Sequence, residues 1–203
     1  MIFRHQMLER SLEWTDGTHL CELIIENPHS LRRVLRELST IDEESSLNFS
    51  DNGKNLTLEK EIDVIFNPLK LDFNNRRAMT TLLKLLVKSS LSESFYLETG
   101  KLKTKIIKYL GELIDGENYN FEVVTDEFGI DDLAKATSLH IVGDEDDFVE
   151  LLIDYMAMMA ELAGIKLFIF VNLRTMLSPE ELTRLQHNLA NHQLDVLLVE
   201  SID

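Results

Sequence analysis

The stretch IKLFIFVNLRTMLSPEELTRLQHNLANHQLDVLLVE, residues 165–200, decides the fold. Leu167–Val171 sets five apolar residues in succession, rich in Phe and Ile. Such a run is a strand buried on both faces, as in a parallel sheet. Asn172 and a polar loop end it. Ser178, Pro179 and Glu181 then stand as N-cap, first helical residue and third residue of a capping box, so a helix begins there. Leu182, Leu185 and Leu189 recur at helical spacing. A second buried strand, Val196–Val199, follows Asp195. Strand, right-handed helical crossover and strand make a βαβ unit. Ligands of such units gather beyond the carboxyl ends of the strands, here Asn172 and Glu200. A nucleotide hydrolase commonly has a Mg²⁺-holding Asp at the first of these positions. Asn binds a cation less well.

Upstream, residues 1–26 read as two short strands, around Ile2 and around Leu20–Ile25, with a turn at Asp16-Gly17. Pro28 and SLRRVLREL predict a helix with Leu31, Val34, Leu35 and Leu38 inward and Arg32, Arg33 and Arg36 on its other side. Leu47–Phe49 and Leu56–Leu58 flank Asp51-Asn52-Gly53-Lys54, a strong hairpin signal. Glu61–Asn67 is a further apolar-rich element, and Asn74 or Asn75 can cap the helix after it. From Arg76 the texture turns helical. Leu82, Leu83, Leu85, Leu86 and Val87 form one helix, and Ser92 caps another that runs to about Ile114. Gly100 lies inside it and costs ~1 kcal/mol against Ala, so a kink or a close approach is expected there. Phe121–Val124 and Leu139–Val142 read as extended pieces on either side of a short helix, Ile130–Thr137. Asp146 or Asp147 opens a long helix to Ala163, closed by Gly164. The expected class is α/β: a mainly parallel head, 1–75 and 164–203, with a helical insertion at 76–163.

The sequence has 203 residues, enough for one domain or one domain with a subdomain. A chain of that size buries ~70% of its unfolded surface. Its apolar runs fall well short of the ~20 residues that span a bilayer. MIFRHQMLER has no long apolar segment of a secretory signal. Cys21 is the single cysteine, so neither a disulfide framework nor a thiolate metal site is available. These features point to a cytoplasmic protein without membrane partners. The formal charge is −16, which by itself argues against nucleic acid. Its distribution is uneven, however. Lys101, Lys103, Lys105 and Lys108 lie within eight residues, while acids crowd at 122–132 and 144–150.

A phosphate-binding loop needs GxxxxGK[ST] between strand and helix. Gly53-Lys54 and Gly100-Lys101 both lack a glycine five positions earlier. No serine has a G-x-S-x-G setting. His187 and His192 are five apart, whereas zinc ligands on a helix want four, so they read as surface histidines. Glu122, Asp126, Glu127, Asp131 and Asp132 put five carboxylates into eleven residues. Carboxylates so close repel unless protons or a cation intervene, and Ca²⁺ takes six to eight oxygens in flexible geometry. The other reading is a helix start, where acids favour the positive end of the dipole. Lys101, Lys105 and Lys108 share a helix face, with Leu102, Ile106, Leu110 and Leu113 on another. That is a solvated amphipathic face, or a DNA contact if several copies converge.

Several segments together resemble one family. KLFIFVN, LSPEELTRLQ and LDVLLVE match its strand–helix–strand unit. IDVIFNPLKLDFNN resembles its join between head and helical region, ENPHSLRRVLREL its first helix, and DEFGIDDLAKATSLHI its acidic metal-binding stretch. The chain is similar to the Csn-two family, the accessory adaptation protein of type II-A CRISPR antiviral systems. The resemblance spans most of the chain in the same order. It implies an α/β head related to ATPase cores without a working nucleotide site, and a helical leg inserted in it. It implies a Ca²⁺-supported homotetrameric ring, a dimer of dimers. Such a ring binds ends of double-stranded DNA without sequence preference and aids spacer acquisition. The CRISPR integrase and effector nuclease complex are the implied partners. Under it, Glu122, Asp126, Glu127, Asp131 and Asp132 become Ca²⁺ ligands. Arg76, Arg77, Lys101, Lys103, Lys105 and Lys108 line the ring, and no residue is catalytic. Family members usually continue past the LLVE strand, where this sequence stops at Asp203. Two alternatives stand beside this reading. One is a structural adaptor docking the integration or nuclease complex. The other is a degenerate P-loop-like ATPase or metal-dependent nuclease.

Overall fold

A computed structural model describes residues 1–6, 11–15, 17–40, 47–114, 128–143 and 146–201. In chain order its elements are β1 (Ile2–Arg4), β2 (Leu12–Glu13), β3 (Leu20–Ile24), α1 (Pro28–Ser39), β4 (Asn48–Asp51) and β5 (Lys54–Asn55). Then come α2 (Leu58–Glu61), β6 (Ile62–Ile65), α3 (Arg76–Ser90), α4 (Tyr96–Ile114), α5 (Ile130–Ala136), α6 (Phe148–Met158), β7 (Leu167–Val171), α7 (Pro179–His192) and β8 (Asp195–Glu200).

β7 and β8 pair in parallel, Leu167 opposite Asp195 and Val171 opposite Val199. β6 joins the outer side of β7, and β3 that of β8, both parallel, so the sheet order is β3-β8-β7-β6. All five β7 residues are buried, as a strand covered on both faces requires. The crossover helix α7 begins as its sequence dictates. Ser178 Oγ accepts from Glu181 N–H at 3.2 Å while Glu181 Oε2 accepts from Ser178 N–H at 2.8 Å. Gln193, left-handed at φ 54°, closes it. The class is therefore α/β with a parallel sheet.

Period-two alternation divides the core between the two faces of that sheet. Leu167, Ile169, Leu197 and Val199 share a cluster with Val34 and Leu38 of α1 and with Phe3 and Phe49. The two phenylalanine rings stack with centroids 4.5 Å apart. They belong to a second, antiparallel sheet of order β2-β1-β4-β5. Its β4–β5 hairpin turns at Asn52 and Gly53, both at positive φ as a tight two-residue turn demands. Phe168, Phe170, Val196 and Leu198 take the opposite face and are fully buried. Asp63 of β6 points the same way, and Tyr155 of α6 donates to its Oδ2 at 2.8 Å. Burial, then the charge of Asp63, push the Tyr155 hydroxyl far above its ordinary range.

The chain forms two units, Met1–Phe73 with Val142–Asp203, and Asn74–Ile141. This moves α6 out of the inserted segment expected at 76–163 and into the unit of the sheet. The reason is its sequence: Val149, Leu152, Ile153, Tyr155 and Met156 are buried along one broad face, as a helix covering a sheet requires. Asp147 caps it, accepting from Val149 N–H at 2.9 Å. A π-type turn, Met159–Ala163, and left-handed Gly164 end it.

Two local expectations change. Leu139–Val142 is not a strand; the Asn74 amide takes the Ile141 N–H at 2.7 Å and donates to the Ile141 carbonyl at 2.9 Å. That exchange ties together the two ends of the inserted unit. Ser92 does not cap α4, because its hydroxyl turns back to donate to the Ser89 carbonyl at 2.6 Å. Asn75 does cap α3, accepting from Ala78 N–H at 3.0 Å. Phe121–Val124 lies outside the described residues.

Candidate nucleic-acid interface

The inserted unit carries the basic residues. Helix α4 has good helix formers through most of its length and no fully buried side chain. Leu102, Leu110 and Leu113, expected on an inward face, are 43%, 43% and 55% exposed, and only Ile106 of that set is half-buried. Lys101, Lys105 and Lys108 lie on its exposed surface, whereas Lys103 is half-buried. Residues two apart do not share a helix face, so the run of lysines divides.

Lys101, Lys103 and Lys105 border an open groove of about 630 Å³, together with Ser90, Leu91 and Tyr96. Lys101 Nζ donates to Glu98 Oε1 at 2.7 Å, and Lys108 sits 3.6 Å from Glu112, both pairs being exposed. Exposed pairs of this kind contribute ~0–1 kcal/mol, so a phosphate can displace the acid. Among the described residues, Lys103 and Lys105 lie in no ion pair. Arg76 and Arg77 are the first two residues of α3, about 20 Å along that helix from its far end at Ser90. One chain therefore does not bring them into the lysine groove. They stand at the positive end of the helix dipole with no acid in the first turn. Cations there are disfavoured and an anion offsets them. Tyr96, a residue 61% exposed beside the lysines, is the one that charge counting passed over. Its signal was an aromatic beside a basic run.

Of the acidic residues, Glu122, Asp126 and Glu127 lie outside the described residues. Asp131 and Asp132 open α5. Asp132 Oδ2 accepts from Gly129 N–H at 2.9 Å. Lys135 Nζ donates to Asp131 Oδ2 at 3.0 Å and Asp132 Oδ1 at 3.2 Å. The Gly129 amide, then Lys135, hold the Asp132 carboxyl below its usual range. Two carboxylates thus converge on the one ammonium of Lys135. Among the described residues no group of three or more His, Cys, Asp or Glu is placed to hold a metal.

In the other unit the strand ends are occupied by structural bonds. Asn172, at φ 55°, accepts through Oδ1 from the Ser201 hydroxyl at 3.1 Å. Glu200 accepts from Arg174 N–H at 2.9 Å and is buried. The turn from β3 into α1, Ile25-Glu26-Asn27, has no glycine. Asn27 Oδ1 already takes the His29 and Ser30 amides that a phosphate would use. The cavity there measures about 210 Å³, below the ~300–1,000 Å³ of small-molecule sites.

A family model for CRISPR-associated proteins (Cas_Csn2) matches residues 40–203. The chain belongs to the Cas_Csn2 family. The match takes in the whole inserted unit and the strands β6, β7 and β8, so the lysine groove lies within the region this CRISPR-associated family shares. No curated protein matches the chain. Among the described residues of this Cas_Csn2 protein, no helix is long and apolar enough to cross a membrane.

Proposed function

We propose that this CRISPR-associated protein is a non-catalytic binder of double-stranded DNA ends. It acts as a homotetrameric ring, a dimer of dimers, during spacer acquisition. The observation that carries this reading is the groove of Lys101, Lys103 and Lys105 on an exposed helix, with Tyr96 at its edge. It presents charge and donors to a phosphate backbone without the shaped pocket that base reading needs, which favours binding without sequence preference. Self-association is supported by α4 itself. Tyr109 and Leu113, one helical turn apart, are 60% and 55% exposed, and neighbouring exposed apolar side chains of this kind favour a partner. A ring of four repeats each basic side chain fourfold.

Ca²⁺ belongs to the same reading. Asp131 and Asp132, with Glu122, Asp126 and Glu127, would hold it through carboxylate oxygens. The ion would cancel repulsion among five neighbouring acids and favour one arrangement of the unit. Lys135 competes for the same oxygens, so Lys135→Met should tighten Ca²⁺ binding in calorimetry; unchanged affinity would remove Asp131 and Asp132 from the ligand set.

The capped, glycine-free turn before α1 weighs against nucleotide hydrolysis. Titration of a linear duplex with Lys101, Lys103 and Lys105 changed to Gln tests the DNA reading. The expected result is a loss of affinity of about tenfold or more at 0.1 M salt and a shallower salt dependence. Equal binding by wild type and variant would overturn it.

A further inference from the structure

The outward face of α1 carries a second cationic surface. His29, Arg32, Arg33 and Arg36 fall at i, i+3, i+4 and i+7, so they share one stripe of the helix, and all four are exposed. Val34 and Leu38 are buried on the opposite side, which fixes the stripe toward solvent. Three of the chain's nine arginines thus lie within five residues of a protein whose net charge is −16.

Their bonds leave much of this charge unused. Glu37 Oε1 accepts from Arg33 Nε at 2.9 Å, and Glu37 also lies 3.4 Å from His5 Nε2. Arg32 donates through Nε to the Pro28 carbonyl at 3.2 Å and approaches His29 Nδ1 at 3.2 Å; neither partner is a carboxylate. Arg36 forms no ion pair among the described residues. The stripe runs from the first turn of α1, where no acid offsets the helix dipole, to Arg36 in its last turn. A shallow depression of about 530 Å³ follows it, lined by His29, Arg32, Arg33, Arg36 and Glu37.

The chemistry of that depression selects its occupant. It has no apolar side chain. Protein interfaces use arginine too, but around an apolar core, and no apolar side chain lines this depression. A phosphodiester backbone needs charge and N–H donors alone, and the planar guanidinium matches phosphate oxygens in a bidentate way. The stripe is about 10 Å long, which spans roughly two to three phosphates of one strand. It also precedes the family match, which begins at residue 40.

We propose that this face of α1 is a second duplex-DNA backbone contact, separate from the lysine groove. The proposal rests on the DNA-binding reading given above. The test uses the full chain and a linear duplex of fixed length, titrated across salt concentrations. The proteins are wild type, Arg32→Gln/Arg33→Gln/Arg36→Gln and the matching Arg→Lys triple variant. A polyglutamate peptide is titrated in parallel. The expected result is a loss of about tenfold or more for the Gln variant, with the salt slope lower by about 2 and the melting temperature unchanged. The Lys variant keeps the slope. Unaltered DNA affinity and slope in the Gln variant would overturn the proposal. So would arginine-dependent binding of polyglutamate with DNA binding untouched, which would make the face a dock for acidic protein. A wild type that binds no duplex even at low salt would sink the DNA-binding reading itself, and this contact with it.

Discussion

Glu200 ends strand β8 as a buried carboxylate. One oxygen caps the turn after β7 by accepting from Arg174 N–H at 2.9 Å; the other has no partner among the described residues. Burial, the largest influence, raises its carboxyl above the ordinary glutamate range. A raised carboxyl means that the folded state keeps a proton the unfolded chain has already released. Stability from this group is therefore greatest below the ordinary range and falls as pH rises through the raised value. Gln keeps the acceptor for Arg174 N–H and never ionises. Glu200→Gln should thus have a higher urea midpoint than wild type at pH 7.5, and the gap should close by pH 4. An equal gap at both pH values would assign the effect to packing. Ser178 is a simpler case. Removing its hydroxyl takes a cap from Glu181 N–H, and Ser178→Ala should cost about 1 kcal/mol in denaturant unfolding.

Among the elements, two glycines make opposite predictions. A Cβ at Gly100 would meet nothing within 4 Å, and the close approach expected from its place in α4 is absent. Gly100→Ala should raise stability by about 0.5–1 kcal/mol, read as a thermal shift at fixed protein concentration. A Cβ at Gly143 would lie 2.7 Å from Phe73 Cζ and 2.8 Å from Leu151 Cδ1. The Phe73 ring cannot retreat easily because it meets Tyr155 edge-on at 5.4 Å. Gly143→Ala should cost about 1–3 kcal/mol by the same assay. Stability changes of the same sign in both variants would refute this contrast.

The elements also differ in how legible they were. Strands β7 and β8 announced themselves because burial on both faces forces an unbroken apolar run. Helix α7 did so through its capping box, and the β4–β5 hairpin through Asn52-Gly53. Of the antiparallel sheet, β2 was hidden, since it is two residues long and carries no period. Leu139–Val142 has strand-like composition, yet the Leu139 N–H goes to the Ala134 carbonyl and the Ile141 backbone to the Asn74 side chain, a partner 67 positions away. Helix α6 was legible as a helix and not as part of the sheet's unit, because an apolar face shows that a helix packs and not which neighbour it packs against. At the candidate site, charge density marked the lysines. Only the helix geometry separated Lys103 from the exposed row and Arg76 and Arg77 from the groove.

At the scale of the molecule, the net charge of −16 and the basic surfaces on α4 and α1 are compatible. Under the proposed reading, acidic surface elsewhere would repel a duplex and leave it the two places where cations cluster. The exposed leucines and tyrosine of α4 add a reason for copies to assemble around those places. Threading distinguishes a ring from surface association, because a closed circle has no end to enter. The most direct measurement is a gel shift of this protein with linear and covalently closed circular duplex of one sequence, in Ca²⁺ and in chelator. The account predicts binding to the linear form in Ca²⁺, little binding to the circle, and loss of the complex on chelation. Equal binding to both forms would contradict the ring.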